Sequence, residues 1–353
     1  MTNLTNIYLQ ANYLTELPEA IQFLTNLETL DVSQNCLVGL PPTIGKLVRL
    51  KRIILTQNQL TNLPSSLGNL LNLVSLLLSN NRLSELPYSL HQCLNLEDLY
   101  LDSNNFTSLP NFLTRLPRLR VLSVCSNQLV KLPHVPFAAI ERFYCDNNPR
   151  ISYLPYPLAC QWNRPPAQPL ATRNVIYIPC HECFHTSSRE EANILVDGAP
   201  LHFAPDIDLC VKDPPSLLEL TLRSISSQIF RHPLGVSFDR RNNLYRFESA
   251  YHHTYDQRIG EFCLPSTLIQ LLRDGPNAFC FQCQTFIFRG PALPLFLSKI
   301  IVQHERVELL QSVVLSLLFC SATCLQTATS SSTRSGLEDR LSWEHIGRRT
   351  ARN

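Results

Sequence analysis

A chain of 353 residues with 44% hydrophobic and 16% charged side chains is long enough for one extended domain plus a smaller one, and too apolar to be mostly disordered. The formal net charge of +2 is nearly balanced and the arginines are spread along the chain, which argues against a nucleic-acid or membrane surface. Ten glycines are too sparse for a nucleotide cradle, and no Gly-rich phosphate loop, nucleophile elbow or HExxH is found, so the expectation is a protein that is not an enzyme.

Met1 is followed by Thr-Asn-Leu-Thr-Asn, with neither a basic nor an apolar leader segment, so no secretory signal is expected. The apolar run Val313 to Cys320 falls far short of the roughly 20 residues of a spanning helix. The expected compartment is the cytoplasm, with the nucleus left open. Two sequons, Asn3-Leu-Thr and Asn105-Phe-Thr, point weakly the other way but arise easily in a chain rich in Asn and Thr.

The first half is periodic. Asn12, Asn35, Asn58, Asn81, Asn104 and Asn127 recur every 23 residues, and Pro18, Pro41, Pro64, Pro87, Pro110 and Pro133 keep the same step. A compressed seventh unit runs through Ile140, Phe143 and Cys145 to Asn148, with Leu154-Pro155 after it. Within each unit the LxxLxLxxN pattern places residues such as Leu27, Leu30 and Val32 inward from a short strand, while the Asn side chain satisfies backbone groups where the strand turns away. One unit cannot bury its apolar face alone, so the units stack. The expected fold class is α/β: a leucine-rich repeat solenoid, or horseshoe, over 1–158, followed by a small helical C-terminal module stabilised by zinc. The LPxxLxxL unit resembles the intracellular class of leucine-rich repeats found in Ras-pathway scaffolds.

The leucines and the Asn ladder are structural, so binding belongs to the variable strand positions on the concave face. These are Tyr8 and Gln10, Asp31 and Ser33, Arg52, Ile54 and Thr56, Leu77 and Ser79, Asp98, Tyr100 and Asp102, Ser123 and Cys125, and Arg142, Tyr144 and Asp146. Ile54, Leu77 and Tyr100 occupy the same position of successive units, an apolar stripe beside acidic groups, as in protein-binding surfaces. The array begins at Leu4 without a polar cap, so an exposed first strand is expected.

After Pro157 the period is lost. A Pro-rich linker is expected over 159–174, a Cys-rich module over 175–326 and a disordered Ser/Thr-rich tail over 327–353. Thirteen cysteines without a leader point to reduced thiols or metal ligands. Cys180-His-Glu-Cys183, Cys280-Phe-Gln-Cys283 and Cys320-Ser-Ala-Thr-Cys324 are close pairs of the kind that share a tetrahedral zinc. Reduced structural cysteines and redox chemistry are the alternatives, and spacing does not say which pairs share a metal. His181 and His185 are read as surface residues, and the Tyr251-His-His-Thr-Tyr255 run as a solvated loop.

Pro214-Pro-Ser-Leu-Leu-Glu-Leu-Thr-Leu-Arg-Ser-Ile225 reads as a helix with Leu217, Thr221 and Ile225 on one face. It resembles the BC box through which substrate receptors insert a leucine into elongin C, with Thr221 in place of the usual small cysteine. Leu264-Pro-Ser-Thr-Leu-Ile-Gln-Leu-Leu272 resembles the cullin box that follows it in SOCS-box and VHL-box proteins, matching at Leu264, Pro265, Leu268 and Leu272. The Arg231 to Glu261 insertion between them is longer than usual. Repeats, a C-x-x-C, this helix, Leu-Pro-x-x-Leu, a second C-x-x-C and Cys-Ser-x-x-Cys-Leu-Gln together resemble a family of leucine-rich repeat-containing proteins. That resemblance implies a substrate receptor for a cullin–RING ubiquitin ligase, with elongin B/C and a cullin as partners. The repeat class alone supports a different reading, a scaffold in small-GTPase or kinase signalling.

Overall fold

The computed structural model describes residues 3–151, 154–155, 158, 217–229, 236–239, 244–247, 265, 268–269, 271–272, 276–283, 285–288, 293–301 and 311–329. They form two compact units, the first comprising 3–132 and 137–151, the second 133–136 and everything described after Ile151.

In the first unit each repeat contributes one three-residue strand: β1 (Asn6–Tyr8), β2 (Thr29–Asp31), β3 (Arg52–Ile54), β4 (Ser75–Leu77), β5 (Asp98–Tyr100), β6 (Val121–Ser123) and β7 (Arg142–Tyr144). They pair in sequence order as one parallel sheet, with equivalent repeat positions in register, such as Leu30 with Ile53 and Leu76. Each strand sends its middle residue inward, so Leu30, Ile53, Leu76, Leu99 and Leu122 are fully buried. The stacking is a consequence of composition: a side chain such as Leu76 gains about 1.5–3 kcal/mol on burial, and only the neighbouring repeats offer it a dry surface.

The opposite side of the unit is built from short 3-10 helices, Glu19–Phe23, Pro42–Lys46, Ser65–Asn69, Tyr88–Gln92 and Asn111–Arg115. Each begins after the periodic proline, whose extended conformation sets the entry. Gly45 and Gly68 let adjacent helices approach. A Cβ on Gly45 would lie 2.3 Å from the Ser66 carbonyl oxygen, and one on Gly68 2.3 Å from that of Ser89.

The Asn ladder holds the corner between these sides. Asn81 accepts from the Leu60 N–H at 3.0 Å and donates to the Leu55 and Leu78 carbonyls at 3.0 and 2.9 Å. Asn104 and Asn127 repeat the pattern one and two units later. Asn148 keeps it in the shortened seventh unit, reaching Leu129, Val124 and Cys145. The residue before each Asn, from Ala11 to Asn147, takes a left-handed backbone with φ between 54° and 59°. The ladder offsets this local cost by satisfying buried backbone groups. At the first edge β1 pairs with β2, and Leu4 and Leu9 are exposed.

The second unit departs from the helical module expected. It contains strand β8 (Leu154–Pro155), helix α1 (Leu217–Ile229), hairpin β9–β10 (Val236–Asp239, Leu244–Phe247), hairpin β11–β12 (Ala278–Phe279, Phe286–Ile287), the long strands β13 (Leu293–Ile301) and β14 (Gln311–Phe319), and helix α2 (Ala322–Thr329). Antiparallel strands therefore outweigh helix among its described residues. The β-branched and leucine-rich run at 313–320 explains β14, because such side chains suit a pleated surface. Leu154–Pro155, read from sequence within the solenoid range, pairs in parallel with β14 instead. Helix α2 extends to Thr329, so 327–329 belong to a helix and not to the expected tail. The linker at 159–174 and the tail beyond 329 lie outside the described residues. The unit's core gathers Val135, Leu222, Leu272, Phe279, Phe286 and Phe288. No described helix is long and apolar enough to cross a membrane.

Candidate functional site

Because strand side chains alternate, the residues flanking each buried leucine stand on the outer face of the seven-stranded sheet. In register across it lie Tyr8, Asp31, Ile54, Leu77, Tyr100, Ser123 and Tyr144. The parallel row is Asn6, Thr29, Arg52, Ser75, Asp98, Val121 and Arg142. Ile54, Leu77, Tyr100 and Tyr144 are half-buried, and Tyr8 is 61% exposed. The apolar stripe expected from spacing is thus continuous from β3 to β5, with Arg52, Asp98 and Arg142 beside it.

The acidic groups differ in environment. Burial, reinforced by Glu97, lifts the Asp98 carboxyl above the ordinary aspartate range against the opposing pull of Arg52, Arg142 and Arg120. Burial and the Asp98 charge likewise raise the Tyr100 hydroxyl. Asp102 is occupied internally: one oxygen accepts from Ser123 Oγ at 2.5 Å and the Cys125 N–H at 2.8 Å, the other from Ser79 Oγ at 3.3 Å. Asp31 accepts from the Ser33 hydroxyl and N–H at 2.7 and 3.0 Å. Burial, and after it the Asp102 charge, push the Cys125 thiol up to about 12.

A second cluster forms in the other unit. The β11–β12 turn carries Cys280 and Cys283, and the corner between β14 and α2 carries Cys320 and Cys324. Their four sulfurs lie within 4.8 Å of one another. The Cys283 and Cys320 sulfurs are 3.5 Å apart, and those of Cys320 and Cys324 are 3.7 Å apart. Of the three close pairs expected as ligands, two therefore come together. Cys180 and Cys183 lie outside the described residues. The supporting residues Thr285 and Ser321 escaped the sequence reading. Ser321, directly before α2 and three residues before Cys324, accepts from the Cys324 N–H at 3.2 Å, an N-cap whose spacing is a usable signal.

The elongin- and cullin-docking residues are placed unevenly. On α1, Thr221 is half-buried and Ile225 packs against the unit's core, whereas Leu218 and Leu220 are 40% and 49% exposed. Pro265 is exposed, Leu268 packs against the core, and Leu272 is fully buried inside it. Leu272 is thus a core residue of its own unit instead of a surface contact. Leu264 lies outside the described residues, and for Leu217 the helix alone is described.

The geometry of the first unit and comparison with known proteins agree. A leucine rich repeat model matches residues 2–60, and another matches 72–93 and 95–116. The first unit is a leucine-rich repeat domain. Among solved structures, it is similar to a leucine-rich repeat protein of Leptospira interrogans, with 28% identity over 44% of this chain and 46% of that one and a TM-score of 0.39. It is also similar to the BIR2 ectodomain of Arabidopsis thaliana, with 29% identity over 28% of this chain and 54% of that one and a TM-score of 0.26. The match spans about half the length of each of these structures. No curated protein sequence matches the chain.

Proposed function

We propose that this leucine-rich repeat protein recognises another protein on the concave face of its sheet and presents it, through its second unit, to an elongin B/C–cullin ubiquitin ligase in the cytoplasm. The observation that carries recognition is the in-register row Ile54, Leu77 and Tyr100, bordered by Arg52, Asp98 and Arg142. Tyrosine and arginine are enriched in interface hot spots, and a rigid strand backbone lowers the ordering cost of presenting them.

The ligase half of the reading rests on the order of the two boxes and on the overall likeness to leucine-rich repeat-containing protein 28 and, more distantly, protein 58. Helix α1 forms over the BC-box-like segment and leaves Leu218 and Leu220 exposed for a partner. Burial of Leu272 narrows any cullin contact to the neighbourhood of Pro265.

Co-expression of the full chain with elongin B and C, followed by size-exclusion chromatography, tests delivery. A ternary complex that Leu217→Asp disrupts is expected, and absence of elongins from the wild-type complex overturns the ligase reading. Crosslinking mass spectrometry in cells tests recognition separately, with Leu77→Asp and Tyr100→Asp as controls. Both variants are expected to lose the same partner while keeping elongin, and partners unaffected by both overturn the concave-face assignment.

A further inference from the structure

We propose that Cys280, Cys283, Cys320 and Cys324 bind one zinc ion as a tetrahedral four-thiolate centre that clamps the β11–β12 turn to the β14–α2 corner. In such a centre Zn–S bonds of about 2.3 Å place sulfurs about 3.8 Å apart. The distances of 3.5 and 3.7 Å around Cys320, and the spread of no more than 4.8 Å across all four, match that cage. A ligand set of four sulfurs without carboxylate selects a soft or borderline cation and excludes magnesium and calcium.

The surroundings are built for thiolates. Thr285 Oγ1 lies 3.0 Å from Cys283 Sγ. Cys324 sits in the first turn of α2, whose N-terminus Ser321 caps, so the helix end faces a developing negative charge. These dipoles oppose the excess charge of a centre with four thiolates and one divalent ion. Binding exchanges the thiol protons for the metal and releases them to solvent.

The packing beneath is preorganised. Backbone bonds from Cys280 N–H to the Thr285 carbonyl, 2.9 Å, and from Phe281 N–H to the Leu318 carbonyl, 2.7 Å, fix the turn and seat it on β14. The Phe281 and Phe319 rings meet edge to face at 6.0 Å. The ligand pairs come from segments 37 residues apart, so the ion closes the loop between them.

Elemental analysis of the purified full chain, together with cobalt(II) replacement, tests the centre. The expected result is tightly bound zinc and, after exchange, the visible absorption of tetrahedral cobalt with sulfur charge-transfer bands. The Cys283→Ser/Cys320→Ser variant should lose one zinc per chain, and Cys180→Ser/Cys183→Ser should retain that zinc. A folded wild-type chain without zinc and without the cobalt spectrum overturns the proposal. So does unchanged zinc in Cys283→Ser/Cys320→Ser, or a disulfide among these four cysteines in freshly isolated protein. The wild-type cobalt spectrum decides the matter even where the serine variant fails to fold.

Discussion

The Glu219 carboxylate, fully buried on helix α1, accepts a hydrogen bond from the Phe288 N–H at 3.0 Å and ties that helix to the end of β12. The same oxygen receives Arg223 Nε at 2.8 Å, one helical turn on. The BC-box-like helix and the hairpin bearing Cys280 and Cys283 are thereby parts of one packed structure.

Removing one member of a buried charge pair leaves the other poorly solvated, which typically costs about 3–5 kcal/mol. Glu219→Ala is therefore expected to destabilise the second unit selectively. Hydrogen exchange should show faster exchange throughout α1 and the β11–β12 hairpin, with the repeat strands unchanged.

Gly45 and Gly68 are required for space. With a Cβ held 2.3 Å from a neighbouring carbonyl oxygen, the two 3-10 helices must separate, and overpacking of this kind costs about 1–3 kcal/mol. Gly45→Ala and Gly68→Ala should each lower the urea midpoint of the repeat domain. Gly39→Ala, whose nearest neighbour would be Asn62 Oδ1 at 3.9 Å, should leave it nearly unchanged.

Replacing Asn81 with alanine strips the Leu60 N–H of its buried acceptor and takes one of two side-chain donors from each of the Leu55 and Leu78 carbonyls, which Asn58 and Asn104 still serve. An orphaned buried N–H costs about 1–3 kcal/mol, so a loss in that range is expected in denaturant unfolding. Asn12→Ala should cost far less, because Asn12 is exposed and bonds within its own repeat to Leu9 and Gln10.

Asp98 gives a pH signature. A carboxyl raised in the folded state binds its proton more tightly there than in the unfolded chain, so stability falls as pH rises through the folded pKa and is regained on acidification. Asp98→Asn, which cannot ionise, should melt above wild type near about pH 7, and the difference should shrink below the ordinary aspartate pKa of about 3.9. Paired thermal melts across that range measure it. An Asn variant without this pH-dependent gain would mean that the arginines outweigh burial.

The repeat domain was legible in the sequence because its rules are local and recur. A 23-residue period, an inward leucine triplet, a corner Asn and a proline before each 3-10 helix each report on one unit, and stacking follows since no unit can bury its own face. The outer-face row from Ile54 to Tyr100 was legible for the same reason, because strand alternation converts position directly into side-chain direction. In the second unit the sequence determined only the local pieces, namely that Cys280 and Cys283 share one turn and that the segment Pro214 to Ile225 carries a helix. Tertiary structure alone decided that Cys280 and Cys283 meet Cys320 and Cys324, that Glu219 is buried beneath Phe288, and that Leu272 is core. The spacing within a C-x-x-C reports a turn, while the meeting of two such pairs depends on strand pairing across intervening segments. An apolar helix face looks the same in sequence whether its own domain or another protein covers it.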